Sequence, residues 1–215
     1  MGVAERKIRE KIARRSSILA AAREVFADKG LVGATVDEIA EKAEISKGAI
    51  YLYFSSKEEL YLSVMSEGMD ILIGRLVSAR DMSLPADQAL KRMVEAYYQF
   101  YLDYPDYFRI MFIYQHLGIR ERVSRESIAA CDTKNLNCLN LAREIIEKGM
   151  QKRIFRQLNP WTVTVLCWTS LNGIIMLGEH REHLPEEIHD RPTPPQLLEA
   201  FWDVLEKGLL KGGET

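Results

Sequence analysis

Thr35-Val36-Asp37-Glu38 and Ser56-Lys57-Glu58-Glu59 constrain this chain more than any other feature, because each has the spacing of a capping box. In such a box a hydroxyl accepts from the backbone N–H three residues on, and the carboxylate there reaches back. A helix must therefore start after each, and only short helices fit between the two. Ile39, Ala40 and Ala43 give the first of these a narrow apolar face. Glu44-Ile45-Ser46 breaks it, and Ser46 can cap a third short helix from Lys47 to about Tyr53. Upstream, Ile18, Ala21, Ala22, Val25 and Phe26 recur at helical spacing until Gly30 stops the run. Downstream of Ser56 a long helix is expected through Leu60, Val64 and Ile71.

The remainder also reads as helix. Helices are expected over about 85–103, 106–117, 120–152, 160–183 and 195–211, with the Pro-rich segment Asp190 to Pro195 before the last. Thirteen Gly and seven Pro in 215 residues are too few for a β-rich or low-complexity chain. The expected fold class is all-α: an N-terminal three-helix helix-turn-helix domain over residues 1–55, and a larger helical ligand-binding and dimerisation domain over 56–215.

Charge and cysteine content narrow the function. A formal net charge of −2 excludes a uniformly basic nucleic-acid coat. The distribution is uneven: Arg6, Lys7, Arg9, Lys11, Arg14 and Arg15 face only Glu5 and Glu10 in the first fifteen residues. That basic arm is either a helix end or an extension toward DNA. Three Cys without a CxxC pair, and a charged N-terminus unlike a signal peptide, fit a reducing, cytoplasmic setting. Residues 157–178 carry no formal charge and are long enough for a bilayer. Their Asn, Thr and Ser content, and the amphipathic helix that follows, favour a buried helix in a soluble domain, with no membrane partner.

The segment Thr35 to Phe54 holds two short helices around a three-residue break, the size of a helix-turn-helix. In the second, Ile50 and Phe54 share the core side, while Lys47 and Tyr51 share another face. Gly48 removes bulk where the helix start meets another surface. The stretches TVDEIAEKA, ISKGAIYLYF and SSKEEL, taken together, resemble the DNA-binding domain of the tetracycline-repressor (TetR) family over about residues 12–64. The resemblance implies phosphate contacts from Thr35, Ser46, Tyr51, Tyr53 and Lys57, and places Lys47, Gly48 and Ala49 nearest the base edges. Hydroxyls, a phenol and ammonium groups are suitable phosphate donors. Glu44 departs from the family, which often has Gly there. If the turn needs positive φ at that position, Glu costs on the order of 1 kcal/mol.

One short reading helix gives little affinity, so a two-fold dimer on a palindromic operator is expected. The TetR resemblance implies that the last two helices pair with their mates. Trp161, Val165, Leu197, Phe201, Val204 and Leu205 are the candidate contacts, with an internal core as the alternative. Residues 97–114 hold nine aromatic side chains, and the whole chain only 19. A pocket for a small, largely apolar or aromatic effector is expected from Tyr97, Tyr101, Phe108, Met111, Phe112, Trp168, Asn172 and Met176, with His116 as a polar anchor and a packed core as the alternative. His180, His183 and His189 invite a metal reading, but their place at a helix end is ordinary for polar residues, and neither metal nor cofactor is expected. Cys131 and Cys138 lie too far apart on one helix for a disulfide and read as small hydrophobes. With the TetR resemblance, the expected function is a ligand-responsive DNA-binding transcriptional regulator, with repression expected rather than read from the residues. The alternatives are a helical protein-interaction adaptor and a helical enzyme. No HExxH, GxSxG, P-loop or GxGxxG motif supports the enzyme.

Overall fold

A computed structural model of the chain describes residues 2–114, 121–179 and 192–210. Its helices are α1 (Val3–Gly33), α2 (Val36–Lys42), α3 (Lys47–Tyr51), α4 (Lys57–Ala79), α5 (Ala86–Asp103), α6 (Pro105–Tyr114), α7 (Arg125–Gln151), α8 (Pro160–Glu179) and α9 (Pro194–Leu209). Among the described residues there is no strand, only an isolated antiparallel bridge between Phe155 and Leu210. The all-α expectation holds. Several boundaries differ from the expected ones, each with a local cause. α1 continues past Gly30 to Gly33, but Gly30 itself is non-helical with φ 65°, a conformation glycine adopts without steric cost. α6 starts at Pro105, because proline at the first helical position loses no needed N–H. α7 starts at Arg125, where Ser124 Oγ accepts from the Ser127 N–H at 3.0 Å.

The chain forms two compact units, one of Met1–Ile71 with Asp103–Asn135 and the other of Leu72–Leu102 with Leu136–Thr215. In the first unit, α1 packs against α2 and α6, and α2 against α3. Ile18, Ala22, Phe26, Ile39, Ile50, Phe54 and Leu60 are buried, so the periodic apolar positions converge on one core. Phe26 meets Tyr61 edge-on with ring centroids 5.0 Å apart. Tyr61 is fully buried, and its O–H donates to the Ile110 carbonyl at 2.6 Å. A buried phenol requires such a partner.

In the second unit, α8 packs against α9. Phe155 is buried at the turn after α7, and the Arg156 N–H donates to the Leu209 carbonyl at 2.8 Å. Lys148 donates to the Met82 carbonyl, and Arg80 pairs with Glu144. The expectation that α8 is a buried helix needs correction. Val163, Thr164, Cys167, Leu171 and Ile175 are buried, yet only 28% of its most apolar window is. Trp161, Val165 and Leu166 remain exposed. By length and composition alone α8 is also sufficient to cross a bilayer. One chain simply does not supply enough surface to cover a helix apolar all round.

Candidate nucleic-acid interface

Cap chemistry builds the helix-turn-helix. The Thr35 hydroxyl accepts from the Glu38 N–H at 3.2 Å and donates to the Glu38 carboxylate at 2.9 Å, and the Thr35 N–H donates to the same carboxylate at 2.9 Å. The expected capping box is complete. Lys29 and Thr35, both bonded to Glu38, hold its carboxyl down at about 2. At the other end, Ile45 N–H donates to the Ala40 carbonyl and Glu44 N–H to the Glu41 carbonyl, both at 3.0 Å. These are the two bonds of a Schellman motif, whose closing residue must be left-handed. That residue is Glu44, with φ 54°.

Ser46 then starts α3, its hydroxyl accepting from the Ala49 N–H at 3.2 Å. α3 is shorter than expected, ending at Tyr51 rather than about Tyr53. Ile50 and Phe54 point into the core, and this fixes what faces outward. Ser46, Lys47, Gly48 and Tyr51 are exposed, while Ala49 and Tyr53 are half-buried. A Cβ at Gly48 would meet nothing closer than Ser46 Oγ at 3.9 Å. Nothing inside the protein therefore demands glycine there. Lys47 lies 2.8 Å from Asp37, and that contact raises its pKa. Asp37 is thus an orienting partner the sequence reading missed, since a pair ten residues apart across a turn leaves no periodic signal.

A second cluster forms where α4 begins. The Ser56 hydroxyl accepts from the Glu59 N–H at 3.0 Å. Lys57 Nζ donates to the Ala34 carbonyl at 2.7 Å, which sets its ammonium beside Thr35. The structure thus gathers Thr35 with Lys57, and Ser46 with Lys47, Gly48 and Tyr51. Leu52 was also missed. It is 81% exposed directly after α3. The signal was present: if Ile50 and Phe54 turn inward, Leu52 turns outward.

The eight expected pocket residues divide between the two units. Tyr97, Tyr101, Trp168, Asn172 and Met176 belong to the second, and Phe108, Met111 and Phe112 to the first. Within the second unit the Tyr97 O–H donates to Asn172 Oδ1 at 2.9 Å, Asn172 Nδ2 donates to the Trp168 carbonyl at 2.8 Å, and the Tyr101 O–H donates to Glu179 at 2.6 Å. Burial raises the Tyr97 pKa, keeping it a neutral donor. Phe108 is buried and Met111 half-buried in the first unit. The Phe112 side chain, His116, His180, His183 and His189 lie outside the described residues. A cleft of about 340 Å³ in the first unit is lined by other residues, among them Arg15, Glu59, Glu67, Asp70 and Ser127.

Of the expected dimer contacts, Trp161, Val165 and Val204 are exposed, Leu197 and Phe201 half-buried, and Leu205 buried within its own chain. Arg143 lies over the Trp161 ring at 5.1 Å. Cys131, Cys138 and Cys167 form no disulfide, and burial pushes the thiols of Cys138 and Cys167 up to about 12. Both act as small hydrophobes rather than nucleophiles. Among the described residues, no cluster of His, Cys, Asp and Glu is arranged for a metal ion.

Residues 18–64 match the bacterial regulatory proteins of the tetR family. The HTH-type transcriptional repressor NicS of Pseudomonas putida is 31% identical over 199 residues, which is 91% of this chain and 92% of that protein. The HTH-type transcriptional activator FasR of Mycolicibacterium smegmatis is 42% identical over 87 residues, only 40% of either chain. The crystal structure of the transcriptional regulator FadR from Bacillus subtilis, in complex with stearoyl-CoA, superposes with a TM-score of 0.73 at 18% identity, covering 90% of this chain and 98% of that one. A helix-turn-helix closed by two caps, an open glycine at the start of its second helix and a nearly full-length match to a repressor agree: the chain belongs to the tetR family of bacterial transcriptional regulators.

Proposed function

We propose that the chain is a repressor that binds a palindromic operator as a homodimer and is released by a small, largely apolar or aromatic effector. The observation that carries this reading is the outward face of α3, where Ser46, Lys47, Gly48 and Tyr51 are exposed and unobstructed. Thr35, Ser46, Tyr51, Tyr53 and Lys57 serve phosphates, and Lys47, Gly48 and Ala49 lie against base edges. Residues 1–55 form the DNA-binding domain and 56–215 the effector and dimerisation domain. Repression, rather than activation, is supported by the repressor NicS, whose similarity spans 91% of the chain. An operator of a bacterial chromosome places the protein in the cytoplasm.

The exposed apolar stripe of α8, with Val204 of α9, suits a second copy of the chain, and Gly173 and Thr169 allow close approach along it. Tyr97, Tyr101, Trp168, Asn172 and Met176, all in the second unit, give the effector an aromatic wall with two hydroxyls. The switch runs through α4. Its first residue, Lys57, is bonded beside Thr35, and its last turns belong to the second unit. An effector that favours a different setting of α4 moves a phosphate donor, and by linkage DNA weakens effector binding to the same degree.

The test is fluorescence anisotropy with a duplex taken from DNA upstream of the protein's own gene. Two protomers per site are expected, with affinity at physiological salt at least roughly a thousandfold above a scrambled duplex. Equal affinity for both duplexes rejects sequence-specific regulation.

A further inference from the structure

The first half of α1 leaves the body of the protein. Residues 4–17 are all exposed, and burial begins only at Ile18 and Leu19. At 1.5 Å per residue this is about 20 Å of projecting helix. Its root is tied to the DNA-reading element, because the Arg15 guanidinium lies 5.1 Å over the ring of Phe54, just beyond α3.

The charges on this arm are sorted. Lys7, Lys11 and Arg14 follow i, i+4, i+7 spacing and so lie on one stripe, which Ile18 continues. Ile18 is fully buried, so the cationic stripe is on the side from which the core packs on α1. The two acids are engaged elsewhere: Glu10 pairs with Arg6 at 2.7 Å, and Glu5 accepts from the Gly2 N–H at 3.1 Å. Among the described residues, Lys7, Lys11 and Arg14 have no hydrogen-bond or ion-pair partner. Only two large apolar side chains, Ile8 and Ile12, are exposed on the arm, at 59% and 60%. That is too little apolar surface for a packed protein interface and enough for sugar or methyl contacts.

We infer that this arm lies along the sugar–phosphate backbone of the duplex flanking the half-site read by α3, with Lys7, Lys11 and Arg14 each at a phosphate. Charge complementarity and continuity with α3 select this occupant over a protein surface. The lengths agree. Lys7 to Arg14 spans about 10 Å of helix, and one DNA strand presents roughly three phosphates over that axial distance. The contact carries no base information. It lengthens the footprint and raises affinity on any sequence. The inference rests on the DNA-binding reading above.

The experiment compares the full-length protein with its Lys7→Gln/Lys11→Gln/Arg14→Gln variant, on a duplex selected by the wild type from random sequences. Helix content by circular dichroism checks that the arm persists. Each phosphate contact contributes about 0.9 to the slope of log affinity against log salt, so the variant's slope falls by about 2.7. From 50 to 200 mM salt, the wild type then loses about 40-fold more affinity than the variant. The second measurement trims the flanking base pairs beyond the half-sites. Trimming weakens the wild type and leaves the variant unaffected. Equal slopes, or equal sensitivity to trimming, overturn the arm contact while leaving DNA binding intact. A wild type with no salt-dependent binding to the selected duplex overturns both.

Discussion

Glu44 offers a sharp test of how the helix-turn-helix is held. It closes α2 in the left-handed region at φ 54°, locked by the Glu44 and Ile45 N–H bonds at 3.0 Å. For a residue with a Cβ this conformation costs about 1–2 kcal/mol, and glycine is free of that cost. Glu44→Gly also makes the unfolded chain more flexible, which removes about 0.4–1 kcal/mol of the gain. The net expectation is a stabilisation of about 0.5–1 kcal/mol. For a chain of this size that raises the melting temperature by roughly 1–4 °C. Glu44→Gln is the control: it removes the same exposed charge and keeps the strain. Thermal unfolding by circular dichroism at one protein concentration compares the three proteins. A change shared by both variants is electrostatic, and the difference between them reports the backbone. If Glu44→Gly melts no higher than Glu44→Gln, the turn is not strained as argued.

Two further outcomes follow from named contacts. Glu38 is held at about 2 against an ordinary value of 4.5, so its charge stabilises the fold fully above the ordinary value, and that contribution disappears as pH falls through about 2. Glu38→Gln keeps the cap geometry without the charge; its melting deficit relative to wild type is therefore expected to shrink between about pH 6 and about pH 3, and a constant deficit rejects the assignment. Val165→Glu with Leu166→Glu places charge on the exposed stripe of α8 and is expected to convert a dimer to monomer by sedimentation velocity, with helicity retained. A variant that remains dimeric moves the interface elsewhere.

The parts of this fold legible in the sequence are those written by local chemistry. Thr35, Ser46 and Ser56 announce their helices because an N-cap hydroxyl acts on a backbone N–H three residues away. Glu44 stood out only through the family resemblance, as the residue strained if the turn needs positive φ, and its φ of 54° meets that condition. The outward face of α3 followed once Ile50 and Phe54 were assigned to the core. Long-range contacts were not legible. Lys47 to Asp37 and Lys57 to the Ala34 carbonyl depend on how a turn is closed. The break of the aromatic run 97–114 into two helices was legible from Pro105, but the assignment of its two parts to different units was not. Val204 and Leu205 looked alike as members of one apolar stripe, but Val204 is 71% exposed and Leu205 is buried. α8 misled in the other direction. Its composition suggested burial, which a single chain does not provide.

The central claim is that α3 is presented to duplex DNA with Gly48 at the point of closest approach. Gly48→Leu tests it most directly, because residue 48 is exposed and a Cβ there meets nothing closer than Ser46 Oγ at 3.9 Å. Replacing an exposed helical glycine by leucine is expected to leave stability unchanged or raise it by about 0.5–1 kcal/mol. Operator affinity, measured by anisotropy on the same protein, is expected to fall by more than about tenfold, because each lost close base contact is worth about 1–3 kcal/mol. A Gly48→Leu protein that is equally stable and binds its operator as tightly as the wild type contradicts the account.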